Sequence, residues 1–345
     1  MAGEKSSLKK LVLHPSFRET IHEMNRQQIR LPPHPVADDW DFNQYTFPSE
    51  NSKLLLDIEE FGKVKLDPRS GEELIKEETP ICGYDESINK FACLAGVAYL
   101  ICHTLILLGK RDYIPSCYLT LYFYTRSKAI TENSKSIKYS EDPAVDSKKD
   151  YASDREDFLI SNAPSRSILF IDGPLIGAQL SSQTTGLNQR LLKDDVLPIF
   201  FVKNSSGCLV INNTPHLNGN FNSDMHWAYD TLGKGERTNF FHYRDKDNVR
   251  NAKCFCYMKA FDASPQRIEF HVDTLNKYGK EEMSNLMSVV YYLLLVQGEL
   301  RNPQIRPIAV AEKYARGAIN LIDLDKMMKE TGMVSTINQG RFGWG

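Results

Sequence analysis

Among its seven cysteines (82, 93, 102, 117, 208, 254 and 256) the sequence has no CxxC pair and no finger-like Cys/His spacing. That excludes a zinc finger and a disulfide framework, and the thiols read as small buried residues of a reducing, cytoplasmic compartment. Charge imbalance is also missing. The net charge is −2 at pH 7, so basic residues for a polyanionic partner must be concentrated locally or borrowed. No internal repeat or low-complexity tract occurs, and Gly233-Lys234-Gly235 lacks the spacing of a phosphate-binding loop. The opening MAGEKSSLKK carries no apolar stretch of the secretory kind. Long hydrophobic runs reduce to one, residues 91–109, with 19 residues and no formal charge. Its length approaches a membrane span, but His103, Thr104 and two cysteines lie inside it, so a core segment is expected and no membrane contact.

What is present is ordinary globular chain: 345 residues, 41% hydrophobic and 25% charged, enough for one large domain or two ordinary ones. Residues 1–75 read as an N-terminal arm for partner or dimer contacts. A polar helical stretch over 16–30 ends at a Pro-rich turn. Trp40, Phe42, Tyr45 and Phe47 follow in polar surroundings, as docking anchors or a satellite core, and 52–61 fits a short helix. From residue 76 a second domain is expected to run to 345. Strands are predicted at 81–85 (ICGYD) and 117–124 (CYLTLYFY), then a mobile polar loop over 125–151 and a helix over 154–162 (DREDFLISN).

Residues 167–177 (SILFIDGPLIG) are the centre of the pattern. Four apolar residues run into Asp172-Gly173-Pro174, which suits a strand buried on both faces and stopped sharply. A helix over 187–196 and a strand over 198–202 ending at Lys203 follow. After them come an irregular 204–250 segment, a hairpin over 253–261 and 267–272, and helices over 280–297 and 308–319, the last just behind Pro307. The order β-β-β-α-β-α-β, with carboxylates at the ends of the first and fourth strands, resembles the ribonuclease H-like mixed sheet with flanking helices, here with a C-terminal helical and hairpin extension.

Three carboxylates stand out: Asp85, Glu156 and Asp172. Neighbouring strands would bring Asp85 and Asp172 together, and Glu156 can reach them from the intervening helix. Such a cluster suits two hard divalent ions, Mn²⁺ or Mg²⁺, spanning a phosphodiester. Each carboxylate taken singly also fits a turn cap. Lys203 either touches a phosphate, orients a carboxylate or is solvated. His216, His226 and His242, with Trp227 and Tyr243, form either a DNA-facing patch or unremarkable surface. Arg267 and Glu269 alternate on one strand face and can pair with each other.

Several blocks resemble the NurA nuclease family, over about residues 80–325. LFIDGPLIG and PIFFVKNS resemble its strand ending in an acidic Asp-Gly turn and the following strand ending in lysine. CGYDES resembles its first metal-ligand motif, with Asp85 as ligand. DREDFL places Glu156 at its middle carboxylate, and YMKAF with RIEFHV resembles its late hairpin. RPIAVAE resembles its terminal helix. Two positions depart from the family: Glu86 where it prefers glycine, and Glu312 where it has histidine, so that a fourth carboxylate joins the expected ligands Asp85, Glu156 and Asp172.

The resemblance implies a metal-dependent DNA nuclease, exonucleolytic with some endonuclease activity, in DNA end processing or anti-phage defence. It further implies a homodimer docked on a hexameric HerA-type ATPase. Hydrolysis is then expected by direct water attack, with Lys203 and Glu312 beside the three carboxylates. The alternatives are a catalytically silent adaptor of the ATPase and another ribonuclease H-like carboxylate phosphotransferase.

Overall fold

The two apolar runs flanking the Asp172-Gly173 turn are neighbouring parallel strands, β7 (Ile168–Asp172) and β8 (Leu197–Val202). The computed structural model describes residues 52–56, 62–75, 79–108, 112–132, 134, 136–176, 180–214, 217–245, 248–298 and 303–335. The other strands are β1 (Ser52–Leu56), β2 (Lys63–Lys65), β3 (Ile81–Cys93), β4 (Gly96–Leu108), β5 (Tyr113–Thr125), β6 (Ile137–Tyr139), β9 (Glu236–Thr238), β10 (Phe241–Asp245), β11 (Ala252–Lys259) and β12 (Gln266–His271). The helices, among the described residues, are α1 (Pro68–Ile75), α2 (Lys128–Thr131), α3 (Pro143–Asn162), α4 (Ser181–Lys193), α5 (Leu209–Asn212), α6 (Asp224–Thr231), α7 (Val272–Gln297), α8 (Arg306–Asn320) and α9 (Leu324–Glu330).

All twelve strands share one sheet, ordered β1-β10-β11-β12-β8-β7-β3-β4-β5-β6, with β9 linking β11 to β2. β3, β7 and β8 are parallel, and β3, β4 and β5 form an antiparallel meander. This is the expected ribonuclease H-like arrangement, extended by the β9–β12 strands. Alternate residues of the central strands enter two cores. Tyr84, Leu169, Ile171 and Phe200 meet Phe158 and Leu159 of α3 and Leu187 and Leu191 of α4 on one face. Ile81, Phe170, Ile199 and Phe201 meet Met287 and Val290 of α7 and Ile308 of α8 on the other. Burial on both faces is why β7 and β8 are unbroken apolar runs.

Several expectations are corrected. β3 does not end at Asp85: its pairing with β7 stops at Tyr84–Ile171, while its pairing with β4 continues to Cys93. The apolar 91–109 segment is the end of β3, a turn and β4, and no described helix is long and apolar enough to cross a membrane. The expected loop over 125–151 holds α2, β6 and the first half of α3. Pro143 and the Asp142 carboxylate, which accepts from the Ala144 and Val145 amides, start α3 well before 154.

The 204–250 segment, expected to be irregular, carries regular elements. α5, α6, β9 and β10 lie there with Trp227 and Tyr243 buried, which removes the aromatic patch. His226 accepts from the Asn222 amide, His242 lies on β10, and His216 falls outside the described residues. β1 replaces the helix expected over 52–61, of which 57–61 lie outside the described residues. β1 pairs with β10, β2 with β9, and α1 packs on α7, so the described part of the expected arm belongs to the main sheet. The 16–30 helix and the Trp40–Phe47 aromatics lie outside the described residues.

Candidate active site

Asp172 is the last residue of β7. Gly173 follows with φ 94°, a left-handed value that favours glycine, and its amide donates to the Phe201 carbonyl at 3.0 Å. The carboxylate is therefore held at the strand end by backbone on both sides. Asp85 stands on the adjacent strand, one residue beyond the last β3–β7 pair, and is 7% exposed. Its Oδ1 accepts from the Glu86 amide at 2.9 Å. Burial, with the negative charges of Glu86 and Asp172, pushes the Asp85 carboxyl up to about 8. Burial raises Asp172 as well, against the pull of Lys203.

Lys203, one residue past β8, places Nζ 3.0 Å from Asp172 Oδ2 and donates to Glu312 Oε2 at 3.2 Å. Burial lowers its pKa, but Asp172 and Glu312 outweigh that and hold the ammonium above its ordinary value. Glu312 arrives from α8, with Arg316 Nη2 2.5 Å from its other oxygen. The approach of α8 depends on Gly83: a Cβ there would lie 2.3 Å from the Pro307 carbonyl carbon. The glycine of CGYDES thus lets the helix carrying Glu312 settle directly on β3.

The fold brings Asp85, Asp172, Lys203 and Glu312 together. Glu156 is not among them. It bonds Arg190 of α4 at 2.6 Å, while Tyr151, Arg155 and Phe158 form the face of α3 that is buried on the sheet. A residue step on a helix is a 100° rotation, and that step takes Glu156 off the sheet-facing side.

Glu86 adds a carboxylate that the strand pattern left unassigned. Its Oε1 accepts from the Tyr151 hydroxyl at 2.6 Å, and its buried Oε2 has no hydrogen-bond partner among the described residues. Burial raises its pKa, with Arg155 opposing. Nearby, the Tyr84 hydroxyl and His103 Nδ1 are hydrogen-bonded at 2.7 Å, and burial holds the imidazole neutral with a pKa of about 3. The Arg267–Glu269 pair forms, with Nε 2.7 Å from Oε1.

A hard divalent cation fits this donor set. The donors are carboxylate oxygens, burial raises both Asp85 and Asp172 with neighbouring carboxylates adding to it, and one carboxylate oxygen of Glu86 is buried without a hydrogen-bond partner among the described residues. Among the described residues no three His, Cys, Asp or Glu side chains gather closely enough to enclose an ion. Mg²⁺ commonly takes only one or two carboxylates and completes its shell with water and substrate phosphate, so an acidic pair suffices.

No family model matches the sequence, and no curated protein matches it. Solved structures do. The NurA nuclease from Sulfolobus solfataricus is similar at 9% identity, over 92% of this chain and 98% of that one, with a TM-score of 0.50. A NurA structure bound to dAMP and manganese shares 7% identity over 68% of this chain and 83% of that one, with a TM-score of 0.35. Endonuclease V of Ciona intestinalis, in complex with a 24mer DNA containing an inosine followed by a ribo-adenosine, shares 11% over 88% and 100%, with a TM-score of 0.34. The first of these likenesses is one of fold and spans almost the full length of both chains.

Proposed function

We propose that the protein is a metal-dependent nuclease that hydrolyses phosphodiester bonds of DNA. The observation carrying this reading is the pair Asp85 and Asp172, side by side at the end of the β3–β7 pairing with the one ammonium of Lys203 shared between Asp172 and Glu312, within a fold shared with a NurA nuclease. Asp85 and Asp172 would hold Mn²⁺ or Mg²⁺, with Glu312 alongside. The chemistry supplied at such a centre is Lewis-acid polarisation of the phosphodiester and acidification of a bound water. Lys203 keeps Asp172 and Glu312 in register and presents an ammonium to an incoming phosphate. Glu156 is retained in this proposal only as a support of the α3–α4 contact through Arg190.

The resemblance of the sequence motifs supports the finer reading: exonucleolytic cleavage with some endonuclease activity, a homodimer, and a HerA-type ATPase that threads DNA to it. The near-neutral net charge is consistent with a partner that supplies grip on the polyanion. DNA end processing and anti-phage defence both use such a pair. One observation favours a second reading, a silent adaptor of the ATPase: Lys203 already spans Asp172 and Glu312, and Glu156 is engaged elsewhere.

Incubating linear DNA and RNA with the purified chain in Mn²⁺, Mg²⁺ or EDTA, with and without the ATPase, separates these readings. DNA cleavage that EDTA abolishes is the expected result. Cleavage of RNA alone would move the protein to a different phosphotransferase. No cleavage under any condition would leave the adaptor.

A further inference from the structure

Beneath the carboxylate site, on the face of the sheet that carries α3 and α4, lies a second group of charges. Lys253 of β11 and Arg267 and Glu269 of β12 are 1%, 2% and 0% exposed. Glu269 Oε1 takes both cations, Lys253 Nζ and, at 2.7 Å, Arg267 Nε. Two further contacts leave the group and reach the two turns that carry the site. Glu269 Oε2 accepts from the Leu175 amide at 2.9 Å, three residues beyond Asp172. Arg267 Nη1 donates to Ser205 Oγ at 2.8 Å, two residues beyond Lys203. The strand register explains the reach: Arg267 lies opposite Val202 and Glu269 opposite Phe200, so β12 runs beside the end of β8.

Burying three ionic groups is a poor route to stability, because well-packed apolar residues of similar volume do as well or better. Their yield is directional. The Leu175 amide, buried behind Pro174, would otherwise be an orphan donor, and Glu269 fixes where it points. With the Gly173 amide on Phe201, the turn after Asp172 is pinned at two points, and the turn after Lys203 at one.

We infer that Glu269 and Arg267 are positioning residues for the site: one buried carboxylate–guanidinium pair sets both the Asp172 turn and the Lys203 turn, and thereby the spacing of Asp172 from Lys203. This rests on reading that site as the metal-dependent nuclease centre. Displacements of about an ångström at such a site are enough to reduce turnover ~10²-fold.

The test uses the full chain with Glu269→Gln and Ser205→Ala. Folding is followed by circular dichroism and thermal melting, Mn²⁺ affinity by calorimetry without substrate, and kcat and KM on linear DNA. Glu269→Gln should lower kcat by ~10–100-fold with KM little changed, and weaken Mn²⁺ binding several-fold. Ser205→Ala removes the bond from Arg267 and the one that Ser205 Oγ accepts from the Gly207 amide, should fold, and should lower kcat by roughly 3–10-fold. Should Glu269→Gln not fold, Ser205→Ala decides alone. Folded variants with wild-type kcat and Mn²⁺ affinity would overturn the inference while leaving the nuclease reading intact. A wild-type chain that binds Mn²⁺ but does not cleave would sink the nuclease reading, and weakened Mn²⁺ binding in the variants would still support the positioning role. A wild-type chain that neither cleaves nor binds Mn²⁺ overturns both.

Discussion

Two clusters of charge lie within one strand's width of each other, and they are built on opposite terms. In the Lys253–Arg267–Glu269 group two cations share one carboxylate, with the buried Asp224 acting on both, and almost no water reaches it. In the Asp85–Asp172–Glu312 group, three carboxylates meet the bridging ammonium of Lys203 and the exposed guanidinium of Arg316, and about a fifth of the Asp172, Lys203 and Glu312 side chains stays open to solvent. A closed cluster serves the protein's own geometry. An open, unbalanced one holds an electrostatic deficit that a ligand can fill, and perturbed groups in such a place mark function.

Removing a charge from each cluster should therefore have opposite consequences. The largest effect is expected for Asp172→Ala, which should abolish cleavage of linear DNA and leave the melting temperature in EDTA unchanged or higher, since it relieves repulsion with Asp85. A clear drop in metal-free stability would place Asp172 with the structural charges instead. Lys253→Met should do the reverse. It strips a buried partner from Glu269 and should destabilise the fold by about 3–5 kcal/mol in urea titration, the range for breaking a buried ion pair from one side. A shift below about 1 kcal/mol would show that Arg267 alone balances Glu269.

Gly83→Ala probes how the open cluster is assembled. The new methyl group meets Pro307 backbone, so α8 must shift, at about 1–3 kcal/mol of stability, and the Mn²⁺ needed for half-maximal activity should rise. An unchanged titration curve would mean that Glu312 contributes nothing to ion binding. The pH dependence sharpens the contrast further. Asp85 titrates near 8 in the fold against an ordinary 3.8, so the native state keeps a proton that the unfolded chain has released. Stability in EDTA is then full below about pH 4 and declines as pH rises towards 8, and Asp85→Asn should flatten that decline. A parallel slope in wild type and Asp85→Asn would assign the titration to another group. The smallest effect belongs to Glu156→Ala. Its partner Arg190 is half exposed, and such pairs contribute at most about 1 kcal/mol, so activity should stay within a few-fold of wild type. Loss of cleavage there would return Glu156 to the site.

How much of this was legible in the sequence follows from which signals are local. The strands before Asp172 and Lys203, the β11–β12 hairpin and the helix behind Pro307 are announced by unbroken apolar runs, turn residues and a first-turn proline. The first half of α3 is hidden because only Ser147, Tyr151 and Ala152 of it are buried, which leaves a charged composition that reads as loop, while the second half was read as helix. The true length of β3 is hidden because the five residues after Asp85 are half-buried or exposed, so the apolar run that announces the strand stops there. Glu156 was misplaced because sequence sets the spacing along a helix but not its rotation about its own axis against the sheet. Lys253 carried no signal at all. Its meaning comes from Glu269 across a strand pair and from Leu175 in a turn far away in the chain.

The dependence of α8 on Gly83 also has a consequence in time. The site draws on positions 85, 172, 203 and 312, and its last contributor, Glu312, follows Lys203 by more than a hundred residues (312 against 203). During synthesis the strands bearing Asp85 and Asp172 leave the ribosome long before α8 can pack against Pro307's seat on β3. A partly made chain thus holds two of its carboxylates with no helix to close them in. The order in which the elements emerge leaves the carboxylate site incomplete until α8 itself has been made and has packed on β3.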